Sequence, residues 1–529
     1  IVNQRGGAST DITWVNDLGN ATTTNVLAYK YSTDQTIHWA DPLAPQVDGL
    51  SNMCMMMAAM GMPVPPFGSP CAQNYEGPIP ATPHLHGGEQ PAEIDGSPDT
   101  WITSDGAHAG HKYYSFGYVS GSPIPGNYAV YKYPNVQEAA PLWFHDHTLG
   151  ATRLNVYMGL AGVNYLYDPA QNLPANLQPL GEVVPLVLQD RMFDTNGQLF
   201  FPSDSAGGML WSPNPEHPYW VPEFVGDTIV VNGKAWPYFT VQPKRYRFLF
   251  LNGSNARAYE MFLINQATGA MGPPLWVIGT DGGYLDTPVS LDPNLGQRLV
   301  MQPGERYEVI IDFTGYAGAN LIIRNIGRTP YPKGAPPEGS TLGRLMQFRV
   351  SATPVTDASY EPAGGTPLRT GGQVIQRLVT PATGTLAPGV TVAKSRALTL
   401  NEVMGMAQTA IDPVTGLTTT YPGGPLEILV NNTKWAGKEP MAAPRTDFTY
   451  VTVNGTTTGY SEIPVEGDTE VWEIINTTAD AHPIHLHAVQ FQLLNRQNYN
   501  TNKYVKAYGA AFPGGVYLPA YGPPLTYSP

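Results

Sequence analysis

Histidines are the residues of this chain whose spacing points most directly to chemistry. Six of the 11 form His-x-His pairs, at His84–His86, His145–His147 and His485–His487. Residues i and i+2 of a strand project from the same face, so each pair would place two imidazoles side by side. Three converging pairs would supply six nitrogen ligands, which is a set typical of copper among biological metals.

Other readings of these histidines differ in the ligands they need. One pair alone is more often structural than metal-binding. Zinc could use three of the six, but a structural zinc site takes four ligands and usually includes cysteine, and none lies near the pairs. His482 precedes His485 by three residues, so in an extended strand it would face the opposite side and serve a second site. We interpret the histidines without such a context as surface or core residues: His38, His108, His111 and His217.

The elements that must position these histidines are strands. Three segments share a turn, an alternating apolar strand and then asparagine: residues 12–20, 246–255 and 469–478. The alternation gives each strand one buried face. Their wide spacing indicates a repeat on the scale of domains, and it predicts three related β-sandwich domains.

The domain boundaries follow from where these strands and the histidines fall. The first domain would span residues 1–170, the second 171–355 and the third 396–529. A stretch rich in proline, threonine and glycine, residues 356–395, would link the last two. The histidine pairs lie in the first and third domains, so we expect those two to bind metal and the middle one to bind none.

Composition excludes several classes of protein. Hydrophobic residues make up 42% of the chain and charged residues 13%, with 56 Gly and 52 Pro, which is typical of a folded, strand-rich protein. A formal net charge of −14 argues against a nucleic-acid partner. No run approaches the roughly 18 apolar residues of a membrane span. The chain opens directly in an apparent strand, which suggests a removed leader and an extracytoplasmic or secreted location.

An insert at residues 50–71 carries six methionines and one cysteine between positions 53 and 62. Soft thioethers suit Cu(I), so a role in copper acquisition is one reading. The other reading, which we favour, is a short apolar helix that covers the core or a partner subunit. Cys54 and Cys71 could form a disulfide in an oxidising compartment.

Several motifs around the histidines resemble those of one family. They are HLHGG (84–88) with DG (95–96), WFHDHTLGATRLNVYMGLAG (143–162), PGERYEVIIDF (303–313) and HPIHLH (482–487). The chain resembles the multicopper oxidases, and within them the bacterial laccase group of spore-coat laccases, bilirubin oxidases and phenoxazinone synthases. The resemblance implies an all-β fold of three cupredoxin-like Greek-key domains and four copper ions, one of type 1, one of type 2 and two of type 3.

The resemblance also implies a role for each matching residue. His84 and His485 would bind the type 2 copper, and His482 would bind the type 1 copper. Asp95 would relay protons to the cluster, although it could also merely begin an Asp-Gly turn. The type 3 pair would be held by four residues: His86, His145, His147 and His487.

One departure from the family lies at the C-terminal end. The family ends in a His-Cys-His motif that completes both copper sites, and this sequence ends at residue 529 without it. We therefore expect a truncated third domain and no turnover by this chain alone. One explanation is that a further segment carries the motif, either as another peptide or as a part missing from this sequence. The other explanation is that the protein is a degenerate copper-binding relative. The intact motifs elsewhere favour the first explanation.

The expected function is a laccase-like oxidation. Single electrons would pass from a phenolic, aminophenolic or bilirubin-like donor to the type 1 copper, and O₂ would be reduced to water at the trinuclear cluster. A metallo-oxidase of Cu(I), Mn(II) or Fe(II) is the alternative, supported by the acidic surface and the methionine insert. A third reading is a structural copper-binding protein without turnover. An oligomer is compatible with all three.

Overall fold

The computed structural model describes most of the chain. It covers residues 2–5, 9–20, 77–115, 124–200, 223–369, 376–405, 408–411, 418–421, 424–431, 449–453 and 456–511. The methionine insert with Cys54 and Cys71, and also His38 and His217, lie outside these described residues. Strands dominate, and the all-β fold class predicted from the sequence is confirmed. No helix in the described part of the chain is both long and apolar enough to cross a bilayer.

The first part of the chain is built on a four-stranded sheet of order β1-β8-β7-β4, flanked by the pairs β2-β6 and β3-β5. Its elements are β1 Val2–Gln4, β2 Thr10–Val15, β3 Pro80–Ala81, β4 Pro83–His86, β5 Ile102–Thr103, β6 Tyr128–Tyr133, β7 Ala140–Asp146, α1 Thr152–Tyr157 and β8 Ala161–Tyr167. Leu85, Leu142 and Leu166 are buried on one face of the larger sheet. The opposite face is left for the histidines, because neighbours along a strand alternate between faces.

The middle part packs a seven-stranded sheet, β11-β10-β9-β13-β18-β15-β16, against a five-stranded sheet, β12-β20-β19-β14-β17. The elements are β9 Val184–Arg191, β10 Thr228–Val231, β11 Lys234–Ala235, β12 Tyr238–Val241, β13 Arg245–Asn252, β14 Tyr259–Asn265, β15 Leu275–Thr280, β16 Gly283–Leu291, β17 Leu299–Met301, β18 Arg306–Asp312, β19 Asn320–Asn325 and β20 Arg344–Val350. Buried aromatic and branched side chains from both sheets form the core between them.

The later part of the chain forms a three-stranded sheet, β26-β23-β29, and three hairpins. The elements are β21 Val379–Thr380, β22 Thr385–Leu386, β23 Lys394–Gly405, β24 Gln408–Ile411, β25 Thr418–Tyr421, β26 Gly424–Val430, β27 Thr449–Val453, β28 Thr456–Tyr460, β29 Glu470–Asn476 and α2 Thr501–Ala511. Short 3₁₀ helices occur at Ala92–Ile94, Leu180–Glu182, Pro293–Leu295, Thr314–Tyr316 and Pro362–Gly364. The pair β21-β22 lies in the segment predicted as a linker, and β23 begins two residues before the predicted start of the third domain. The division into domains stays a prediction.

Strand β18 joins the middle part to the first. Its residues alternate between the two-sheet core, where Val309 and Ile311 lie, and an opposite face that carries Arg306 and Glu308. Arg306 Nε donates to the carbonyl of Pro141 at 2.9 Å, on the strand that continues to His145. We call this contact surface between β18 and the four-stranded sheet the seam. It anchors the histidine-bearing sheet against a strand of the middle part.

Two expectations about local structure are wrong. Residues 477–500 contain neither strand nor helix, so HPIHLH is not an extended strand. Pro483 has no N–H to give to a ladder, and Ala488 takes a positive φ of 60°, so both interrupt pairing there. Strand β7 ends at Asp146, which places His147 just beyond the strand rather than within it.

Candidate metal centre

The four-stranded sheet brings the first three histidine rings together by register. In the antiparallel pair of β4 and β7, His84 lies opposite His145 and His86 lies opposite Trp143. The rings of His84 and His145 are 5.4 Å apart between centroids, and His86 Nδ1 lies 3.2 Å from His145 Nε2. His147 joins them because its N–H donates to the carbonyl of Thr82 at 2.8 Å, which turns the chain back toward the sheet.

The remaining pair reaches this group from the far end of the chain. His485 Nε2 lies 3.3 Å from His84 Nε2, and the His485 ring stacks on His86 with centroids 3.6 Å apart. His487 stacks on His84 at 4.1 Å. All six rings predicted as cluster ligands are thus brought together. We call them the histidine cluster: His84, His86, His145, His147, His485 and His487.

The outer nitrogens of these rings fit a metal centre. His84 Nδ1 contacts the carbonyl of Asp95 at 2.6 Å, and His145 Nδ1 contacts that of Asp146 at 2.7 Å. His487 Nδ1 contacts the Asp95 carboxylate at 2.7 Å. Metal-binding histidines characteristically donate one N–H outward to a carbonyl or carboxylate, which fixes the other nitrogen toward the ion. Ligand atoms of His84, His485 and His487 lie within 4.8 Å of one another.

A buried nitrogen without a partner is a second sign that the cluster is suited to a metal ion. His147 Nδ1 is inaccessible to solvent and has no hydrogen-bond partner in the described part of the chain. An unpaired buried polar atom is costly and calls for an explanation such as a bound ion. His84, His86 and His145 also group their ligand atoms within 4.8 Å. Six imidazole donors without a nearby cysteine among the described residues suit copper.

The electrostatics keep five of the six rings neutral. Burial, and then the neighbouring imidazoles, lower the pKa of His147 to about 3 and that of His485 to about 2. Burial together with the charge of Arg306 lowers the pKa of His86 well below its usual value. Burial likewise depresses the pKa of both His84 and His145. Neutral imidazole is the form that binds metal, so these rings hold free lone pairs at neutral pH.

Asp95 lies at the edge of the cluster and is held from several directions. The 3₁₀ helix Ala92–Ile94 ends at it, and a Cβ on the following Gly96 would lie 2.0 Å from the carbonyl of Pro83. Its Oδ1 accepts from Gln90 Nε2 at 3.0 Å, while its Oδ2 contacts His487. Burial acts to raise the pKa of Asp95, but hydrogen bonds from His487 and His84 lower it far below the usual value.

His482 lies apart from the cluster in an acidic setting. Its Nε2 is 2.7 Å from Thr478 Oγ1, 3.3 Å from Asp480 Oδ1 and 3.6 Å from Glu402 Oε1. Burial and the charge of Asp480 raise the pKa of Glu402 to about 7. Burial and the same carboxylate raise the pKa of Glu223 to about 7 as well. We call Glu223, Glu402 and Asp480 the acidic group. Ligand atoms of Glu402, Asp480 and His482 lie within 4.8 Å of one another.

Sequence reasoning identified every histidine of the cluster but missed the residues around it. Glu223, Glu402 and Asp480 are far apart along the chain, and only the spacing of Asp480 from His482 was visible. Arg306 stood inside the quoted motif PGERYEVIIDF, yet nothing local showed that it faces the cluster. Trp143, inside another quoted motif, packs directly on the rings of His86 and His145.

Comparison with known proteins decides the family. The multicopper oxidase family model matches residues 419–512. A laccase from Bacillus stratosphericus is 34% identical over 445 residues, which is 84% of this chain and 70% of that protein. This chain belongs to the multicopper oxidase family. A laccase from Bacillus subtilis (strain 168) is 32% identical over 86% of this chain and 71% of the laccase.

Solved structures add one further likeness. The laccase-like multi-copper oxidase CueO from Ochrobactrum sp. is 24% identical, with a TM-score of 0.40 over 61% of this chain. The matched part is 56% of that protein, so this chain spans less than two thirds of it. Membership of the family implies copper as the cofactor, with O₂ and a reducing substrate as reactants.

Proposed function

We propose that the protein is a laccase-like oxidase that reduces O₂ to water at the histidine cluster. The observation that carries this proposal is the convergence of six imidazoles from two distant parts of the chain. The outward contacts of three of these rings leave their other nitrogens facing one space. We assign His84 and His485 to a type 2 ion and the other four rings to a type 3 pair.

The residues of the chain divide the remaining work between them. Copper, when bound, supplies the one-electron redox chemistry that side chains lack. The carbonyls of Asp95 and Asp146 hold the rings of His84 and His145 in one orientation. The Asp95 carboxylate, which its contacts with Gln90 and His487 hold in the ionised form, is the residue that we assign to guiding protons toward the cluster.

Electrons would enter at His482, the single residue that we assign to a type 1 ion. We propose phenolic, aminophenolic or bilirubin-like donors, in keeping with the laccases among the relatives. His482 and His485 are separated by two residues of one segment, which gives a short covalent path from the donor side to the cluster. The side chain of His482 is 15% exposed, so a donor ring can approach its edge.

The test replaces one cluster ring and compares it with a histidine outside the cluster. O₂ uptake with 2,6-dimethoxyphenol is measured on the copper-loaded complete protein. We expect His86→Ala to abolish uptake, because its ring contacts both His145 and His485. His108→Gln should keep it. Equal uptake by the two variants would refute the assignment, and copper binding without any turnover would support a purely structural protein.

A second donor class is favoured by the acidic group. Glu402 and Asp480 lie beside His482 and interact with Glu223, so the acidic group forms a setting that attracts a metal cation. Its oxygen ligands are better suited to binding Fe(II) or Mn(II) than to binding an aromatic ring. Under this alternative the substrate is a reduced metal ion, with Cu(I) as the third candidate. The loop that carries Glu223 is held by Gly226, whose N–H donates to Asp190 at 2.6 Å.

Glu223→Gln separates the two donor classes. It removes a charge from the acidic group while leaving the side chain the same size. If metal ions are the donors, the variant raises KM for Fe(II) and leaves dimethoxyphenol oxidation unchanged. Glu473→Gln, on the exposed face of β29, is the matched control. An unchanged KM for Fe(II), Mn(II) and Cu(I) in Glu223→Gln would exclude the metal-ion donors.

A further inference from the structure

A second oxidisable group lies directly against the histidine cluster. The ring of Trp143 is centred 4.2 Å from that of His145 and 5.1 Å from that of His86. The residue is 5% exposed, and its indole N–H has no acceptor within the described residues. A Cβ on Gly304 would lie 3.8 Å from Trp143 Cζ2, so the backbone of the middle part covers the ring.

Tyr165 continues this row along the same face of the sheet. Strand β8 pairs with β7 so that Val163 lies opposite Trp143 and Tyr165 lies opposite Pro141. Trp143 and Tyr165 are therefore diagonal neighbours on one face, about 7–8 Å apart at the backbone and within reach of large rings. Tyr165 in turn meets Tyr284 of β16 beside the seam, with their hydroxyl oxygens 3.0 Å apart.

Tyr165 also has a proton acceptor in place. Its hydroxyl donates to Glu308 Oε2 at 2.8 Å, and Glu308 is 1% exposed and paired with Arg247. Burial and the charge of Glu308 raise the pKa of Tyr165 well above its usual value, so the neutral phenol is the resting form. A phenol becomes a strong acid once it loses an electron, so its proton would move along this hydrogen bond.

We propose that Trp143 and Tyr165 form a route by which oxidising equivalents leave the cluster when too few electrons reach it. The inference rests on the proposed function, since O₂ at the cluster is the oxidant. Trp143 gives one electron to that oxidant and regains it from Tyr165. The Tyr165 proton passes to Glu308, which leaves a neutral tyrosyl radical. One electron from the reducing substrate later restores the phenol as Glu308 returns the proton.

The route has a protective function. Without it, a stalled oxidant would attack the nearest side chains, and the cluster rings are the nearest. The alternative is purely structural, in which the hydroxyls of Tyr165 and Tyr284 merely satisfy each other and the Arg247–Glu308 pair in the seam. The two readings differ in whether a radical forms on Tyr165.

The test starves the copper-loaded complete protein of electrons. The protein is reduced with fewer electron equivalents than O₂ needs, mixed with O₂, freeze-quenched and examined by electron paramagnetic resonance. We expect a tyrosyl signal that narrows when the protein contains ring-deuterated tyrosine, a label that leaves folding unchanged. Trp143→Phe and Tyr165→Phe should lose the signal. Tyr259→Phe should keep it, because Tyr259 is fully buried but bonds Ser254 instead of a carboxylate.

Tyr284→Phe is a further variant, which leaves the hydrogen bond between Tyr165 and Glu308 intact. The radical should persist in it with an altered g tensor, because one hydrogen bond to Tyr165 is lost. The absence of a radical in the unaltered protein would overturn the proposal, and so would an undiminished signal in Tyr165→Phe. O₂ uptake with excess reductant is measured in parallel. Failure of that uptake refutes the proposed oxidase function, whereas uptake without a radical refutes the route alone.

Discussion

Asp95 offers the sharpest test of how the chain supports its metal centre. Its carboxylate accepts from Gln90 Nε2 at Oδ1 and contacts His487 Nδ1 at Oδ2. We consider Asp95→Asn, which keeps the shape and removes the charge, and Asp95→Ala, which removes both acceptors. The Gln90 amide can turn over to accept from the new NH₂ group of the asparagine, so the first change preserves the number of hydrogen bonds.

The magnitudes follow from these contacts. In Asp95→Asn the bond to His487 changes from charge-assisted to neutral, which roughly halves its strength. Loss of an outer partner of a metal ligand typically costs about 10–100-fold in metal affinity. We therefore expect Asp95→Asn to lower copper affinity about tenfold, at the lower end of this range. A tenfold change in affinity corresponds to about 1.4 kcal/mol. Asp95→Ala leaves the buried amide of Gln90 and the partly buried ring of His487 without their acceptor and should approach the upper end.

Copper affinity is measured by competition with a chelator of known affinity, alongside denaturant unfolding of the copper-free protein. Asp105→Asn is the matched control, because Asp105 contacts Thr103 in an exposed turn away from the cluster. We expect a graded series in which the control binds copper like the unaltered protein. It would be refuted if both Asp95 variants retained full affinity, or if Asp95→Asn lost more than Asp95→Ala.

Three further changes test other contacts. Gly304→Ala and Gly296→Ala share positive φ values of 85° and 76°, so both should lose about 1–2 kcal/mol of stability. Only Gly304→Ala should also weaken copper binding, because its Cβ would lie 3.3 Å from a cluster ring, and equal affinities would contradict this. Burial raises the pKa of Glu305 to about 7, so its native form prefers the proton and stability should fall as pH rises from 4.5 to 7. Glu305→Gln should make that slope shallower in unfolding measured across pH, and Glu223 and Glu402, whose pKa values are also raised to about 7, account for the rest. Arg257→Met leaves buried Asp190 without its cationic partner and should cost about 3–5 kcal/mol in denaturant unfolding. A loss below about 1 kcal/mol would show the ion pair to be dispensable.

Local patterns in the sequence were sufficient to predict the positions of several strands. The alternating segment 246–255 corresponds to β13, Arg245–Asn252, and the segment 469–478 contains β29, Glu470–Asn476. Side-chain period is a property of a few neighbouring residues, so it survives whatever packs on the strand. The histidine spacing was informative for the same reason, since it marks ligand types directly.

The surroundings of the cluster could not be predicted in this way. Whether Arg306 faces His86 depends on how two sheets meet at the seam, and no short window contains that information. The same holds for Glu223 and Glu402, which meet Asp480 only after distant segments have packed. The irregular backbone of HPIHLH was missed because strand parity was applied across Pro483, which cannot donate to a ladder.

The contact between His84 and His485 joins residues 401 positions apart in the chain. Contacts of such long sequence separation close last, because the entropy of the intervening loop must be overcome before they form. The first part of the chain can therefore fold its sheet and orient four rings before the last pair arrives. Copper that binds all six rings would recognise only the assembled chain, and it would stabilise that state by mass action. Metal loading thus reports that folding has finished.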